Sequence, residues 1–301
     1  DGGSEVLVID DLSTGHKTNI EHLADNKNFE FINGSILEED LVDHAVSKVD
    51  RIYHLAAAVG VELIVKKPLE SLTTNIRGTE IIFEKAHKHN KRTLVTSTSE
   101  IYGKNTSDSL SEDDDRILGS PLKSRWSYSE AKAIDEIFAY TYWLEKKLET
   151  IIVRLFNTVG PRQTGNYGMV LPRFVDQALL GKPITIFGDG TQTRCFCAVG
   201  DVTDGIVALS NHEGAFGKVF NLGGNEEISI GDLAKLIIKI TASSSTIEFV
   251  PYEVAYEEGF EDMQRRVPNT VRANELVGFA QKTDLEEVIR MVVQEQLQAE
   301  E

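Results

Sequence analysis

Glu5-Val6-Leu7-Val8-Ile9-Asp10 is a short apolar run that ends on an acid and is followed at once by a second, Asp11. A strand buried on both faces reads as an unbroken apolar run, and a polar group at its carboxyl end is left open to a ligand. The run therefore predicts a strand of a parallel sheet. Working outward, the same texture returns at 29–33, 51–57, 92–98 and 150–157. Helical segments separate these runs: a polar one near 16–24, one near 38–46, one from Pro68 to about His89, and one from Tyr128 to about 147. Pro68 suits a first helical turn, and Leu72, Ile76, Ile82 and Ala86 are among the apolar positions of the helix it opens. Strand and helix alternate, which predicts an α/β doubly wound parallel sheet with ligands at the carboxyl ends of its strands.

The stretch from Tyr102 to Trp126 is polar and reads as a long surface connection of the length that is often functional. After Gly160-Pro161 the segments shorten. Strands at 183–187 and 218–222 are interspersed with helices near 170–181, 201–210, 229–241 and 284–298. This predicts a first domain over 1–160 and a smaller mixed α+β lobe over 161–301 that covers a cleft, with some of its segments returning to the first domain.

The 301 residues are 41% hydrophobic and 26% charged, enough apolar material for a sizeable core. A formal net charge of −17 argues against nucleic acid or an anionic membrane as the main partner. No apolar run approaches the roughly 18 to 20 residues of a spanning helix, and the first residues carry no signal-peptide pattern, so a cytoplasmic location is the default expectation. Cys195 and Cys197 alternate along one strand and read as small core residues. The seven histidines lack metal-ligand spacing, no metal is expected, and His54 reads as a satisfied core residue.

Tyr128-Ser129-Glu130-Ala131-Lys132 carries the chemistry. A tyrosine and a lysine four apart on a helix share a face and can reach one ligand. A free phenol ionises near pH 10, too high for a base at neutral pH, and a nearby ammonium favours the phenolate. Tyr128 is thus a candidate base, the alternative being an exposed amphipathic turn. Asp10 and Asp11 suit either a turn cap or the ribose hydroxyls of a dinucleotide, where their charge disfavours a 2′-phosphate.

Seven stretches, in order, resemble one family: Asp10–Gly15, His54–Ala58, Thr74–Thr79, Ser97–Gly103, Tyr128 with Lys132, Arg154–Pro161 and Gly188–Arg194. Together they resemble the extended short-chain dehydrogenase/reductases that act on nucleotide sugars, and the resemblance covers essentially the whole chain. It implies a Rossmann-type sheet, NAD as cofactor, and a homodimer formed through a four-helix contact of the helices near 70–89 and 128–147. By resemblance, Tyr128 takes the proton of the sugar C4 hydroxyl, Lys132 holds the phenolate and the nicotinamide ribose, and Thr98 hydrogen-bonds the oxygen on which charge develops. Asp10, Asp11, Ser35, Ile36, Leu55, Ala56, Ala57 and Asn75 fall at cofactor positions. Ser99, Asn157, Arg194 and Arg266 fall where the substrate is held, the arginines suiting a diphosphate. Met169, Val170, Thr185 and Phe187 look like walls for the base.

The family opens with a strand and a glycine-rich turn that cradles the cofactor pyrophosphate, and this chain starts beyond that unit. The expectation is about 20 further residues ahead of Asp1, one strand plus one helix. Ser35 and Asn269 stand where the family commonly has carboxylates. Ser99-Glu100 resembles UDP-glucuronate decarboxylases and GDP-mannose dehydratases and leans towards C5 chemistry. Against that, the stretch 57–62 does not resemble the decarboxylase loop, Glu62 would repel a uronate, and Asp10 disfavours NADP. The favoured expectation is an NAD-dependent UDP-sugar 4-epimerase. UDP-glucuronate decarboxylase or a 4,6-dehydratase is the alternative, and a non-catalytic nucleotide-sugar binding protein is the reading from another class.

Overall fold

A computed structural model describes residues 3–59, 67–165, 169–255 and 263–299. Strands β1 (Val6–Asp10) and β2 (Phe29–Asn33) form a parallel pair. A second parallel sheet takes β3 (Arg51–His54), β4 (Arg92–Thr98), β5 (Thr150–Leu155) and β9 (Lys218–Leu222) in that order. Among the described residues β1 pairs with β2 alone and β3 with β4 alone, so the two sheets are separate.

Period-two alternation decides which helices cover which face of the larger sheet. Leu94, Ile151 and Val153 point to one side, where they pack with Phe220 and Leu222 of β9, Val202, Ile206 and Leu209 of helix α5 (Val199–Ser210), and Ala273 of α8 (Val271–Val277). Val95 and Ile152 point to the other, against Phe83 and Ala86 of α2 (Pro68–Lys88) and Ala139 of α3 (Ser127–Lys146). Helices on both faces make the sheet doubly wound. Helix α1 (Glu39–Lys48) packs beside α2 through Val42, Val46, Ile81 and Ile82.

A second core gathers α4 (Val170–Leu179), α6 (Ile230–Thr241) and α9 (Leu285–Ala299) over short strands. There β8 (Thr193–Ala198) is the hub, paired with β6 (Asn157–Val159), β10 (Glu227–Ser229) and β12 (Arg265–Arg266). β7 (Ile184–Phe187) pairs in parallel with β11 (Ile247–Val250), which leads into the short turn α7 (Tyr252–Ala255). β9 comes after residue 160 yet joins the sheet of β3–β5, so the chain crosses between the two cores more than once.

Three expectations need correction. The segment near 16–24 is a 3-10 helix, Lys17–Leu23, with no buried residue, because its sequence offers no apolar stripe to seat an α-helix. β3 ends at His54, and 55–57 leave the strand to line a cavity. The connection between Tyr102 and Trp126 is not simply a surface loop. Leu110, Glu112, Arg125 and Trp126 are buried, and Leu110 exchanges backbone hydrogen bonds with Val267 and Asn269. Two of its charged side chains, Glu112 and Arg125, are buried, although composition alone reads the stretch as solvent-facing. The argument from the 57–62 stretch falls in part on residues 60–62, Glu62 among them, which lie outside the described residues.

Candidate active site

β4 ends at Thr98 and passes into a 3-10 turn, Ser99–Tyr102. Thr98 terminates the strand with its own hydroxyl, which accepts the Glu100 backbone N–H at 3.2 Å. α3 is docked above this corner: Ser129 Oγ, in its first turn, donates to the Glu100 carbonyl at 2.9 Å. Tyr128 is thereby brought to the carboxyl end of β4, 8% exposed. Burial holds the Tyr128 phenol well above its ordinary range, the carboxylates of Glu100 and Asp135 push the same way, and Arg266 opposes them.

Lys132 lies one turn on, fully buried. Lys132 Nζ donates to the Thr96 carbonyl at 2.9 Å and lies 3.1 Å from Asp135 Oδ2. Sequence pattern gives the shared face of Tyr128 and Lys132 but not the anion on the next turn.

Glu100 is held by two arginines. Arg125, three residues ahead of Tyr128, grips it with both guanidinium ends, one of them Nη2 to Oε1 at 3.1 Å. Arg266 Nη1 lies 3.8 Å from Glu100 Oε1, and its Nη2 donates to Ser99 Oγ. All four side chains are buried or nearly so. Ser99, Glu100 and Arg266 therefore cluster, with Glu100 and Arg266 acting on Tyr128, whereas the resemblance implied a substrate-phosphate contact for Arg266. Arg125 was not singled out; its signal was a basic residue in the turn that leads into the tyrosine.

The cofactor positions gather elsewhere along the strand ends. A cavity of about 540 Å³ is lined by Asp10, Asp11, Ser35, Ile36, Leu55 and Ala57, among others. Asp10 Oδ1 accepts the Leu12 N–H at 2.7 Å and Asp11 Oδ1 the Ser13 N–H at 3.0 Å, which fixes both carboxylates at the end of β1. An acidic group held at a strand tip beside an open, half-apolar cavity fits the adenosine ribose of a dinucleotide. Ala56 also lines it. Asn75 does not face the cavity as a contact residue. It is buried behind the loop, where its Oδ1 accepts Ala58 N–H at 2.7 Å and its Nδ2 donates to Ala58 O at 3.1 Å, so it shapes the wall from behind. Gly78 packs closely on this wall: a Cβ there would come 2.3 Å from Ile36 Cδ1, so the Ile36 side chain would have to shift.

On the other lobe, Thr185 Oγ1 accepts from Gln177 Nε2 at 2.9 Å, and Arg173 spans from the Thr185 carbonyl, at 2.9 Å, to the Phe187 ring, 4.5 Å from its centroid. Met169 and Val170 form the entry to α4 that carries Arg173. Arg173, missed in the sequence, is thus the pivot of the Thr185–Phe187 wall. Arg194 is buried in β8, its Nη1 donating to the carbonyls of Thr193 and Met263, both at 2.8 Å. It is the register partner of Arg266, which places both guanidinium-bearing residues side by side on neighbouring strands. Asn157 opens β6, opposite Phe196. His54 is a satisfied core histidine, its Nε2 2.8 Å from Thr79 Oγ1, and both cysteines are buried. Among the described residues no cluster of His, Cys, Asp and Glu could hold a metal, and no helix is long and apolar enough to cross a membrane.

Residues 1–292 match the family described as GDP-mannose 4,6 dehydratase. Over 293 residues the chain is 37% identical to a UDP-N-acetyl-alpha-D-glucosaminuronate decarboxylase of Bacillus cytotoxicus, covering 97% of this chain and 90% of that protein. It is 36% identical to UDP-glucuronic acid decarboxylase 1 of Danio rerio, again over 97% of this chain but over 66% of the longer relative. A solved structure of UDP-glucuronic acid 4-epimerase from Bacillus cereus, in complex with UDP-glucuronic acid and NAD, superposes with a TM-score of 0.87 at 30% identity, covering 98% of this chain and 91% of that one. With a doubly wound sheet, a ribose-fitting cavity at its strand ends and a buried Tyr128–Lys132 pair, the chain belongs to the NAD-dependent nucleotide-sugar epimerases, dehydratases and decarboxylases of the extended short-chain dehydrogenase/reductases.

Proposed function

We propose that the protein is a UDP-uronate decarboxylase: it oxidises C4 of a UDP-linked uronic acid, and the 4-keto sugar loses its C5 carboxylate as carbon dioxide. The observation that carries this reading is the Glu100 carboxylate held between Arg125 and Arg266 at the foot of Tyr128. A 4,6-dehydration needs a base to take the C5 proton, and a carboxylate gripped at both oxygens by a guanidinium is a poor one. Decarboxylation of a 4-keto acid needs none, because the C5–C6 bonding pair flows into the C4 carbonyl. The same two arginines offset the charge of Glu100, which would otherwise repel a uronate. The relatives that are UDP-uronate decarboxylases support the choice.

Tyr128 takes the C4 hydroxyl proton as C4 is oxidised and returns it at the end. Thr98 already accepts the Glu100 N–H, so its own O–H is available to donate to the C4 oxygen. Bound NAD would supply the acceptor and later the donor of the C4 hydride, and the carbon dioxide lost from C5 is replaced there by a proton from solvent water. Asp10 and Asp11 hold the ribose end, with Ser35, Ile36, Leu55, Ala56 and Ala57 walling the cavity. Arg194 and Asn157 meet the diphosphate, and Met169, Val170, Thr185 and Phe187 the base.

The test is incubation of the full-length enzyme and NAD with UDP-glucuronate and with its N-acetylated relative. Release of carbon dioxide with a UDP-pentose product is expected; a 4-keto-6-deoxy product, or no turnover, overturns the reading. C4 epimerisation is the second reading, favoured by the likeness to the B. cereus 4-epimerase. It shares the first half-reaction and is recognised by a C4-inverted uronate with its carboxylate intact. A homodimer fits the apolar stripe of Ile137, Tyr140 and Leu144, which are 62%, 49% and 48% exposed along one face of α3.

A further inference from the structure

Among the described residues, those other than glycine with φ in the left-handed region, which a Cβ makes unfavourable, are Leu12, Asn90, Lys147, Arg162 and Ala242. Three of them end helices: Lys147 and Ala242 are the C-caps of α3 and α6, and Asn90 follows the C-cap of α2. Leu12, at φ 57°, and Arg162, at φ 64°, end no helix, and they lie in the two segments that one contact joins. Arg162 belongs to the turn Gly160-Pro161-Arg162-Gln163, closed by the Gln163 N–H donating to the Gly160 carbonyl at 3.4 Å. Proline at the first central position and a positive φ at the second make a type II turn, whose second position calls for glycine. An arginine held there against its backbone preference points to a task for its side chain. That side chain reaches across to the cofactor side, where Arg162 Nη1 donates to the Asn19 carbonyl at 2.8 Å. Asn19 lies in the 3-10 segment Lys17–Leu23, which has no buried residue and so little packing to hold it. This segment continues the loop in which Asp10, Asp11, Ser13 and Thr14 line the cofactor cavity. At the other end, Gln163 Nε2 donates to the Thr158 carbonyl at 3.1 Å and fixes the turn to β6, which opens with Asn157 and pairs with β8, the strand of Arg194.

We propose that Arg162 is a positioning residue: it ties the segment behind Asp10 and Asp11 to the turn behind Asn157, so that NAD bound at the first and a nucleotide diphosphate bound at the second each steady the other's site. This rests on the roles given above to Asp10, Asp11 and Asn157. NAD holding the loop at Asp10 and Asp11 fixes the Asn19 carbonyl, and a diphosphate at Asn157 fixes the turn that carries the guanidinium. Whichever ligand binds second then meets a site already partly ordered, and the gain is reciprocal. Leu12 fits the same account. Asp10 Oδ1 accepts its N–H at 2.7 Å, so the loop that Arg162 holds from the far end is pinned at the near end by the carboxylate that meets the ribose.

The experiment measures the Kd of NAD for the full-length enzyme by calorimetry, first alone and then with UDP at saturation, together with the Tm of each protein without ligand. In the wild type UDP is expected to tighten NAD about fivefold. Arg162→Ala keeps the backbone strain and removes the arm, Arg162→Gly removes both, and Arg162→Lys keeps a cation that can donate to the same carbonyl. Arg162→Ala and Arg162→Gly are both expected to bring the factor to about one, although the glycine variant, relieved of the strain, melts above the alanine variant. Arg162→Lys keeps part of the coupling. A merely structural role predicts instead that the factor follows Tm, so that Arg162→Gly couples better than Arg162→Ala. That result, a wild type in which UDP leaves the Kd of NAD unchanged, or full coupling in either truncated variant overturns the proposal. If Arg162→Ala does not fold, Arg162→Gly and Arg162→Lys carry the comparison. Failure of UDP to bind the wild type at all would instead sink the assignment of the nucleotide diphosphate to β6, so the two failures are distinguishable.

Discussion

At the scale of single residues the site is a contest of charges around one phenol. Tyr128 is pushed up by burial and by Glu100 and Asp135, so it becomes a base only when positive charge reaches it. Tyr128→Phe removes the proton carrier without disturbing the packing of the ring. The rate is expected to fall at least about a hundredfold with Tm unchanged within error, measured by product formation and thermal melting. Asp10 makes a second prediction. Its carboxylate is fixed at the tip of β1, where it discriminates against a 2′-phosphate, and Asp10→Ser is expected to narrow the preference for NAD over NADP about tenfold or more, read as the ratio of their Kd values. Tyr128, Lys132 and the two aspartates were legible because their spacing on a helix or at a strand end is itself the signal, and Glu100 through the family resemblance of the Ser99-Glu100 pair. Arg125, Asp135 and Arg173 act through partners distant in sequence or on another turn, and nothing in a local pattern says which carboxylate or ring a given arginine will meet.

At the scale of elements, α3 carries the chemistry and has to be held against β5. Arg154 of β5 makes the tie, donating from Nε and Nη2 to the two carboxylate oxygens of Glu136 at 2.9 and 2.8 Å, and from Nη1 to the Tyr102 hydroxyl and the Glu112 carbonyl, both at 3.0 Å. Removing one member of a buried pair leaves the other charge unmatched. Glu136→Gln is expected to cost about 3 kcal/mol, measured by urea unfolding with an unchanged m-value. The outer face of the same helix makes a different prediction: if the proposed homodimer forms through it, light scattering is expected to find wild type dimeric and Ile137→Asp a folded monomer. The long helices and core strands were readable because their apolar period extends over many residues. β10 and β12 span three and two residues, too few to show any period, and exist because β8 offers them an edge. The buried stretch around Leu110 and Trp126 was hidden for the opposite reason: its charges find partners inside the protein.

At the scale of the whole molecule, burial of polar groups sets how the fold responds to acid. His54 is buried and neutral, its pKa lowered to about 3 by desolvation and by the Lys132 charge, whereas in the unfolded chain it titrates near the ordinary value of about 6.5. As pH falls below that ordinary value the unfolded state takes up a proton that the folded state refuses, so stability is lost through the window from about 6.5 down to about 3. His54→Asn is expected to flatten the dependence of unfolding free energy on pH over the upper part of this window, by up to about 1.4 kcal/mol per pH unit relative to wild type, measured by urea midpoints. The sequence by itself determined the architecture, since apolar runs and helical periods are properties of neighbours along the chain, and it determined the order of motifs that identifies the family. Tertiary structure alone decided which charges meet: that Glu100 is neutralised by Arg125 and Arg266, that Lys132 is turned towards Asp135, and that Arg194 lies beside Arg266. The physical reason is range. Periodicity is set within a few residues, whereas an ion pair in a buried site depends on where helices and strands far apart in the chain are packed together.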